Sequence, residues 1–205
     1  MNEKFFEIKK EKQDRIINGA LKIFAMQGYR HASTDDIVKE AGISKGLLFH
    51  YFENKIGVYE FVYEYSVRYM SLEIKTDVHS TEDWFDLQRQ LACANAKVAG
   101  GYPYMQLFMI RAKEETDEEA LLAVDGKSEL LDMLYEELER TTTIPTLPAK
   151  VSFSLYKKMM DFTLEGLLKE GLRKTAPEPQ TILENTMQYI DMLENLTVIG
   201  ETLEN

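Results

Sequence analysis

The segment Lys45-Gly46-Leu47-Leu48-Phe49-His50-Tyr51-Phe52 brings together residue types that suit contact with a nucleic acid. Wound as a helix, it turns Leu48 and Phe52 inward and sets Lys45, Gly46, Leu47, Phe49, His50 and Tyr51 outward. One full charge, two aromatics, a leucine and a glycine form an odd solvated face, and such a face usually meets a partner. A DNA groove accounts for it. Gly46 admits close approach, and Leu47 or Phe49 can touch a thymine methyl. His50 and Tyr51 can donate to phosphates, and the amides at Ser44 can cradle another. Lys55 opens the next helix and is placed for a further phosphate. The competing reading is that Phe49 and Tyr51 simply pack against neighbouring helices.

No other residue cluster has the spacing of a reactive site. His31, His50 and His79 are scattered, and neither His-Glu-x-x-His nor a cysteine pair occurs. Asp77 and His79 read as a solvated loop. The acidic run Glu114, Glu115, Asp117, Glu118, Glu119 lacks the glycine and alternating oxygens of a calcium loop, and reads as charge on the first turn of the following helix. Cys93 is alone and cannot form an internal disulfide, which fits a reducing cytoplasm, and it reads as a small buried hydrophobe. The expectation is therefore no catalytic residue, no metal and no cofactor.

The elements that must hold the segment are helices. Ile16, Ile17, Ala20, Leu21, Ile23 and Phe24 recur at helical spacing between Lys9 and Met26, with Gly28 ending the run. Ser33 is an N-cap with Asp36 at the third position, so a helix spans Thr34 to Ala41. Gly42-Ile43-Ser44 makes a turn of about three residues into the short helix. A long helix follows from Lys55 to Ile74. Further helices are expected at Asp83–Ala99, Tyr104–Lys113, Glu118–Arg140, Ala149–Leu172 and Glu178–Leu196. Glycine and proline punctuate the breaks, as in Gly100-Gly101-Tyr102-Pro103 and Ile144-Pro145-Thr146-Leu147-Pro148. The fold class is all-α.

The chain has 205 residues and a net charge of -11, which at first sight disfavours DNA. The charge is unevenly spread. Residues 1–55 hold ten Lys/Arg against eight Asp/Glu, net +2, and the remainder holds 14 against 27, net -13. An acidic remainder repels DNA and confines contact to the N-terminal part. No apolar run is long enough for a membrane span, and residues 1–11 lack the apolar stretch of a secretory signal, so a cytoplasmic location is expected.

The run Gly28-Tyr29, Ser33, Asp36-Ile37, Ala41-Gly42-Ile43-Ser44-Lys45-Gly46, Leu48, Tyr51-Phe52 and Asn54-Lys55 resembles the DNA-binding domain of TetR-type repressors over about residues 9–60. Val38 stands where that family generally has alanine, Leu47 where a small polar residue is common, and Phe49 where a tyrosine would reach phosphate. The resemblance implies an Ω-shaped homodimer, a palindromic DNA operator and an effector pocket in the C-terminal part. It divides the chain into a three-helix helix-turn-helix DNA-binding domain, residues 1–54, and a helical effector-binding and dimerisation domain, residues 55–205. The DNA-binding set is Ser33, Thr34, Ser44, Lys45, Gly46, Leu47, Phe49, His50, Tyr51 and Lys55.

The C-terminal part is rich in methionine and aromatics, a mixture that suits either plain core or a pocket for varied apolar ligands. Tyr104, Met105, Phe108, Met109, Tyr156 and Met159 are the expected ligand-binding residues. The stripes Leu155, Met159, Phe162, Gly166 and Leu183, Met187, Ile190, Leu193 suit a four-helix dimer seam, or the subunit's own core. The resulting expectation is a repressor released from a palindromic operator by a small apolar or aromatic molecule. Two alternatives stand beside it: a constitutive DNA-binding regulator without a ligand pocket, and a helical enzyme on an apolar substrate, which the missing acid/base or metal constellation disfavours.

Overall fold

A computed structural model describes residues 3–148, 150–174 and 178–202. A 3-10 turn at Glu3–Glu7 (η1) precedes α1 (Lys10–His31), α2 (Thr34–Ala41), α3 (Lys45–Phe52), α4 (Lys55–Asp77), α5 (Trp84–Gly101), α6 (Met105–Lys113), α7 (Glu118–Val124), α8 (Glu129–Arg140), α9 (Phe153–Lys174) and α10 (Pro179–Thr202). Among the described residues there is no strand, only an isolated bridge between Asp83 and Thr143. No described helix is long and apolar enough to cross a membrane.

The chain forms two compact units, Met1–Ser71 with Gly101–Asp132, and Leu72–Gly100 with Met133–Asn205. In the first, α1 packs on α2, α6 and η1, and α2 packs on α3. Ile16, Ile17, Leu21, Phe24, Ile37 and Leu48 are buried there. Rings of Phe24, Tyr29, Tyr59 and Phe108 meet at 5.0 to 6.2 Å, mostly edge-on, a geometry that adds favourable quadrupole contact to area burial. In the second unit, α9 packs on α10. Its core gathers Trp84, Phe85, Ala92, Tyr156, Met160, Ile190 and Leu193.

Two expectations are corrected, and one left open between two readings is decided. The helix expected over Glu118–Arg140 is two helices. The chain leaves the helical path at Asp125 and Gly126, whose φ is 68°, and Lys127 turns its ammonium onto Glu60 and Glu64. Cys93 is exposed, not buried, because the period of α5 sends Leu91, Ala92 and Ala94 inward and Cys93 out. The α10 stripe is core: Ile190 and Leu193 are buried, with Leu183 and Met187 packed against the same cluster, while Tyr189, Met192 and Leu196 are exposed. Ala149, the expected start of α9, lies outside the described residues. The helix itself begins at Phe153.

Candidate nucleic-acid interface

Local chemistry fixes α2 and α3. Ser33 Oγ accepts from the Asp36 amide at 3.1 Å and donates to the Asp36 carboxylate at 2.7 Å. Ser44 Oγ accepts from the Leu47 amide at 3.3 Å. Such caps satisfy donors that a helix start leaves orphaned, and each contributes about 1 kcal/mol. Between the two helices Gly42 adopts φ 62° and ψ 43°, the left-handed region that glycine enters without a Cβ penalty. The Ile43 amide then reaches back to the Val38 carbonyl at 3.0 Å, closing α2.

Held this way, α3 buries Leu48 and Phe52 and leaves Lys45, Gly46 and His50 exposed, with Leu47, Phe49 and Tyr51 half-buried. A Cβ on Gly46 would meet nothing within 4 Å, so the space above it is open to a partner. Lys45 pairs with Asp35 at 2.7 Å, both side chains largely exposed, and its ammonium lies 5.9 Å from the Phe49 ring centroid. An exposed ion pair of this kind is worth little and leaves the lysine available to a partner. Ser33 and Thr34 stand at the start of α2, half-buried. Tyr51 is only partly outward: its ring meets His50 at 4.9 Å and the buried Phe5 at 5.6 Å. Lys55 is committed as well. Its ammonium donates to the Tyr29 carbonyl at 3.0 Å and sits 4.1 Å from the Tyr29 ring centroid.

Tyr29 is the joint that sequence reasoning missed. The chain breaks from the helical path at Gly28, freeing the Tyr29 amide to donate to Glu115 at 2.9 Å, while the Tyr29 hydroxyl donates to Glu119. Glu115 also accepts from the Thr116 and Asp117 amides. Burial works to raise the Glu115 pKa, but these three amides and Arg111 outweigh it and hold the carboxyl below its ordinary value. Asp117 caps α7 through the Glu119 and Ala120 amides. The acidic run thus charges a helix start, as its sequence suggests, and also grips α1. At the other end of α1, the Tyr102 hydroxyl donates to Asp14 at 2.6 Å and lies 2.6 Å from that of Tyr65. Burial first, then Asp14 and Tyr65, push the Tyr102 phenol well up. The contacts of Tyr29 with Glu115 and Glu119 and of Tyr102 with Asp14 join residues 86 to 90 apart in sequence, and no local pattern announces them.

The residues expected to bind ligand divide between the two units. On α6, Met105, Phe108 and Met109 are buried, and Phe108 belongs to the ring cluster with Phe24 and Tyr59. Tyr104 is half-buried, with the Lys22 ammonium 5.9 Å from its ring centroid. On α9, Tyr156 is buried and donates to the Leu193 carbonyl at 2.5 Å. Burial, then the Glu194 charge, pushes its phenol up to about 12. Met159 is exposed. A cleft of about 270 Å³ lies at the α3–α4 joint, lined by Tyr51, Phe52, Glu53, Gly57, Glu60, Phe61 and Glu64. Among the described residues no group of three or more His, Cys, Asp or Glu side chains could hold a metal ion.

Residues 16–60, which span most of α1 and all of α2 and α3, match the family described as bacterial regulatory proteins, tetR family. Over 175 residues the chain is 25% identical to the HTH-type transcriptional regulator SrpR of Pseudomonas putida, covering 84% of this chain and 80% of that protein. Over 48 residues it is 38% identical to IcaR of Staphylococcus aureus, named as a negative transcriptional regulator of the biofilm operon icaADBC, covering 23% of this chain and 26% of that one. The fold is similar to that of the transcriptional regulator FadR of Bacillus subtilis in complex with stearoyl-CoA, with a TM-score of 0.56 at 14% identity, covering 89% of this chain and 97% of that one.

Proposed function

Because the chain belongs to the TetR family of DNA-binding transcriptional regulators, and so is no enzyme, we propose that it is a homodimeric cytoplasmic repressor released from a palindromic operator by a small apolar or aromatic molecule. The observation that carries the DNA half of this reading is the outward face of α3, open above Gly46 and flanked by Lys45 and His50 on a doubly capped scaffold. Residues 1–54 serve as the DNA-binding domain and residues 55–205 as the effector-binding and dimerisation domain. Ser33, Thr34, Ser44, Lys45, Gly46, Leu47, Phe49, His50, Tyr51 and Lys55 form the contact set. Phosphate contacts there position the protein, and Lys45 and Leu47 read bases.

The dimer reading is supported by Leu155, Met159 and Phe162, spaced along one face of α9 and exposed by 61, 43 and 63%. Repression has its support in the negative regulator IcaR, and an apolar effector in the stearoyl-CoA bound to FadR. The effector residues are Tyr104, Met105, Phe108, Met109, Tyr156 and Met159. A ligand held by the α6 residues displaces packed side chains of the unit that contains α1 to α3. Coupling of about 1–3 kcal/mol changes operator affinity about 5- to 150-fold, and operator weakens ligand binding by the same factor. The complete burial of Met105 and Phe108 favours the second reading, a constitutive regulator without a pocket.

The test is a thermal-shift screen of fatty acyl and aromatic compounds, followed by operator binding with each hit. Hits that lower operator affinity support the effector reading. Hits that stabilise the protein and leave operator affinity unchanged remove the coupling. No hits at all favour the constitutive reading.

A further inference from the structure

The matched family region begins at residue 16, yet η1 lies before it and is built into the far end of α3. Phe5 is completely buried. Its ring meets Tyr51 at 5.6 Å, Phe52 at 5.2 Å and Phe61 at 4.9 Å. The segment is also pinned from behind. The Gln13 side-chain amide, itself buried, donates to the Phe6 carbonyl at 3.0 Å and the Ile8 carbonyl at 2.7 Å.

What Phe5 covers is a strained joint. Glu53, a non-glycine residue, adopts φ 62° and ψ -49°, and the Asn54 amide donates to the Phe52 carbonyl at 2.6 Å. That is a γ-turn of the rare, strained hand. Such a conformation persists only where its surroundings over-determine it. Gly57 supplies part of the constraint: a Cβ there would stand 2.2 Å from the Phe52 carbonyl oxygen, so α4 starts hard against the end of α3. Asn54 adds a cap on the Gly57 amide at 2.8 Å. The remaining side of Phe52 is closed by Phe5 and Phe61.

From this arrangement we infer that the N-terminal turn is a working part of the DNA-reading surface, with Phe5 as a positioning residue for α3. An eight-residue helix does not hold its own shape in water. Its start is fixed by Ser44, and its end by the strained turn and the ring cluster. Without Phe5 the turn relaxes, the last turn of α3 frays, and Tyr51 loses the ring it rests on. Sequence-specific binding then weakens more than non-specific binding, because base readout depends on the angle of α3 and charge attraction does not.

The inference rests on α3 being the element that meets DNA, and the test separates the two. A random duplex library is enriched on the full-length wild-type protein. The selected duplex and a random duplex are then titrated with wild type, Phe5→Ala and Gln13→Met. Backbone hydrogen exchange is followed in α1 and α3 of the same proteins. The expected result is about tenfold weaker binding to the selected duplex for Phe5→Ala, with little change on the random duplex. Exchange quickens at residues 49–54 and not in α1. Gln13→Met, which frees the segment and leaves the rings, moves both readouts the same way by less. Wild-type affinity in both variants overturns the inference. So does an equal loss on both duplexes with faster exchange throughout α1, which marks Phe5 as an ordinary core residue. A wild-type protein that enriches no sequence overturns the DNA reading itself.

Discussion

Helices α2 and α3 bury Ile37, Ala41, Leu48 and Phe52 and turn outward a lysine, a histidine and an open glycine. Helices α9 and α10 bury Tyr156, Met160, Ile190 and Leu193, yet still leave Leu155, Phe162, Met192 and Leu196 on the surface. The first pair buries its largest apolar side chains in its own unit and keeps Leu47 and Phe49 only half-buried beside its charged and open positions, a mixture that suits a DNA groove. The second pair has apolar side chains left over after its core is full. A residue stripe of that kind is normally covered, and a two-fold copy of itself is the simplest cover. One molecule thus presents two surfaces with different appetites, and each can be removed without touching the other.

The largest expected effect is on the second surface. Phe162→Glu places a charge in the α9 stripe, where the side chain is 63% exposed in the single chain, so the subunit's own fold is spared. Sedimentation is expected to give a monomer at micromolar concentration. Operator affinity falls about 100-fold or more, since the second half-site is then no longer bound by a linked partner. A variant that stays dimeric removes α9 from the seam.

Next comes the joint beneath α3. Gly57→Ala forces a Cβ to within 2.2 Å of the Phe52 carbonyl oxygen, and overpacking of this kind costs about 1–3 kcal/mol. Calorimetry is expected to show a Tm lowered by several degrees, with operator binding weakened. Gly46→Ala is its counterpart. The added methyl meets nothing within 4 Å, so Tm holds, and only DNA binding changes. Equal Tm losses in the two variants would mean that the exposed face of α3 is not free.

A smaller effect is expected from Ser44→Ala, which removes the acceptor of the Leu47 amide and costs about 1 kcal/mol of stability. The smallest belongs to the grip on Tyr29. The folded-state pKa of Glu115 is depressed, so its contribution is complete above the ordinary carboxylate value and disappears as pH falls through the depressed one. The Tm difference between wild type and Glu115→Gln is expected to be positive at pH 7 and to vanish in acid. A difference that stays constant down to pH 3 would remove Glu115 as the titrating group.

The helix-turn-helix was legible because its determinants are local: two serine caps, one glycine turn and a three-to-four residue apolar period all fall within about 20 positions. The same local reading stumbled wherever a period allowed two answers. Periodicity found the stripe on α10 but not which side of the helix faced the core, and it ran α7 into α8 across Gly126. Residue type alone places Cys93 inside, whereas the register of α5 turns it outward. What stayed illegible were contacts set by the path of the chain. Tyr29 with Glu115 and Glu119, Tyr102 with Asp14, and Phe5 beneath Tyr51 have no signature beyond the residue types themselves. The Phe5-Phe6 pair, two large rings just ahead of a charged helix start, was the one available hint.

The central claim is that two copies of this chain read inverted half-sites with paired α3 helices. Selection of a random duplex library on the full-length protein, followed by sequencing of the enriched pool and footprinting, tests it most directly. The expected outcome is an inverted repeat whose half-site centres lie about 34–36 Å apart or a multiple of that, protected on one face and bound with two subunits per duplex. Enrichment of a single asymmetric half-site bound by one subunit, or no enrichment at all, would contradict it.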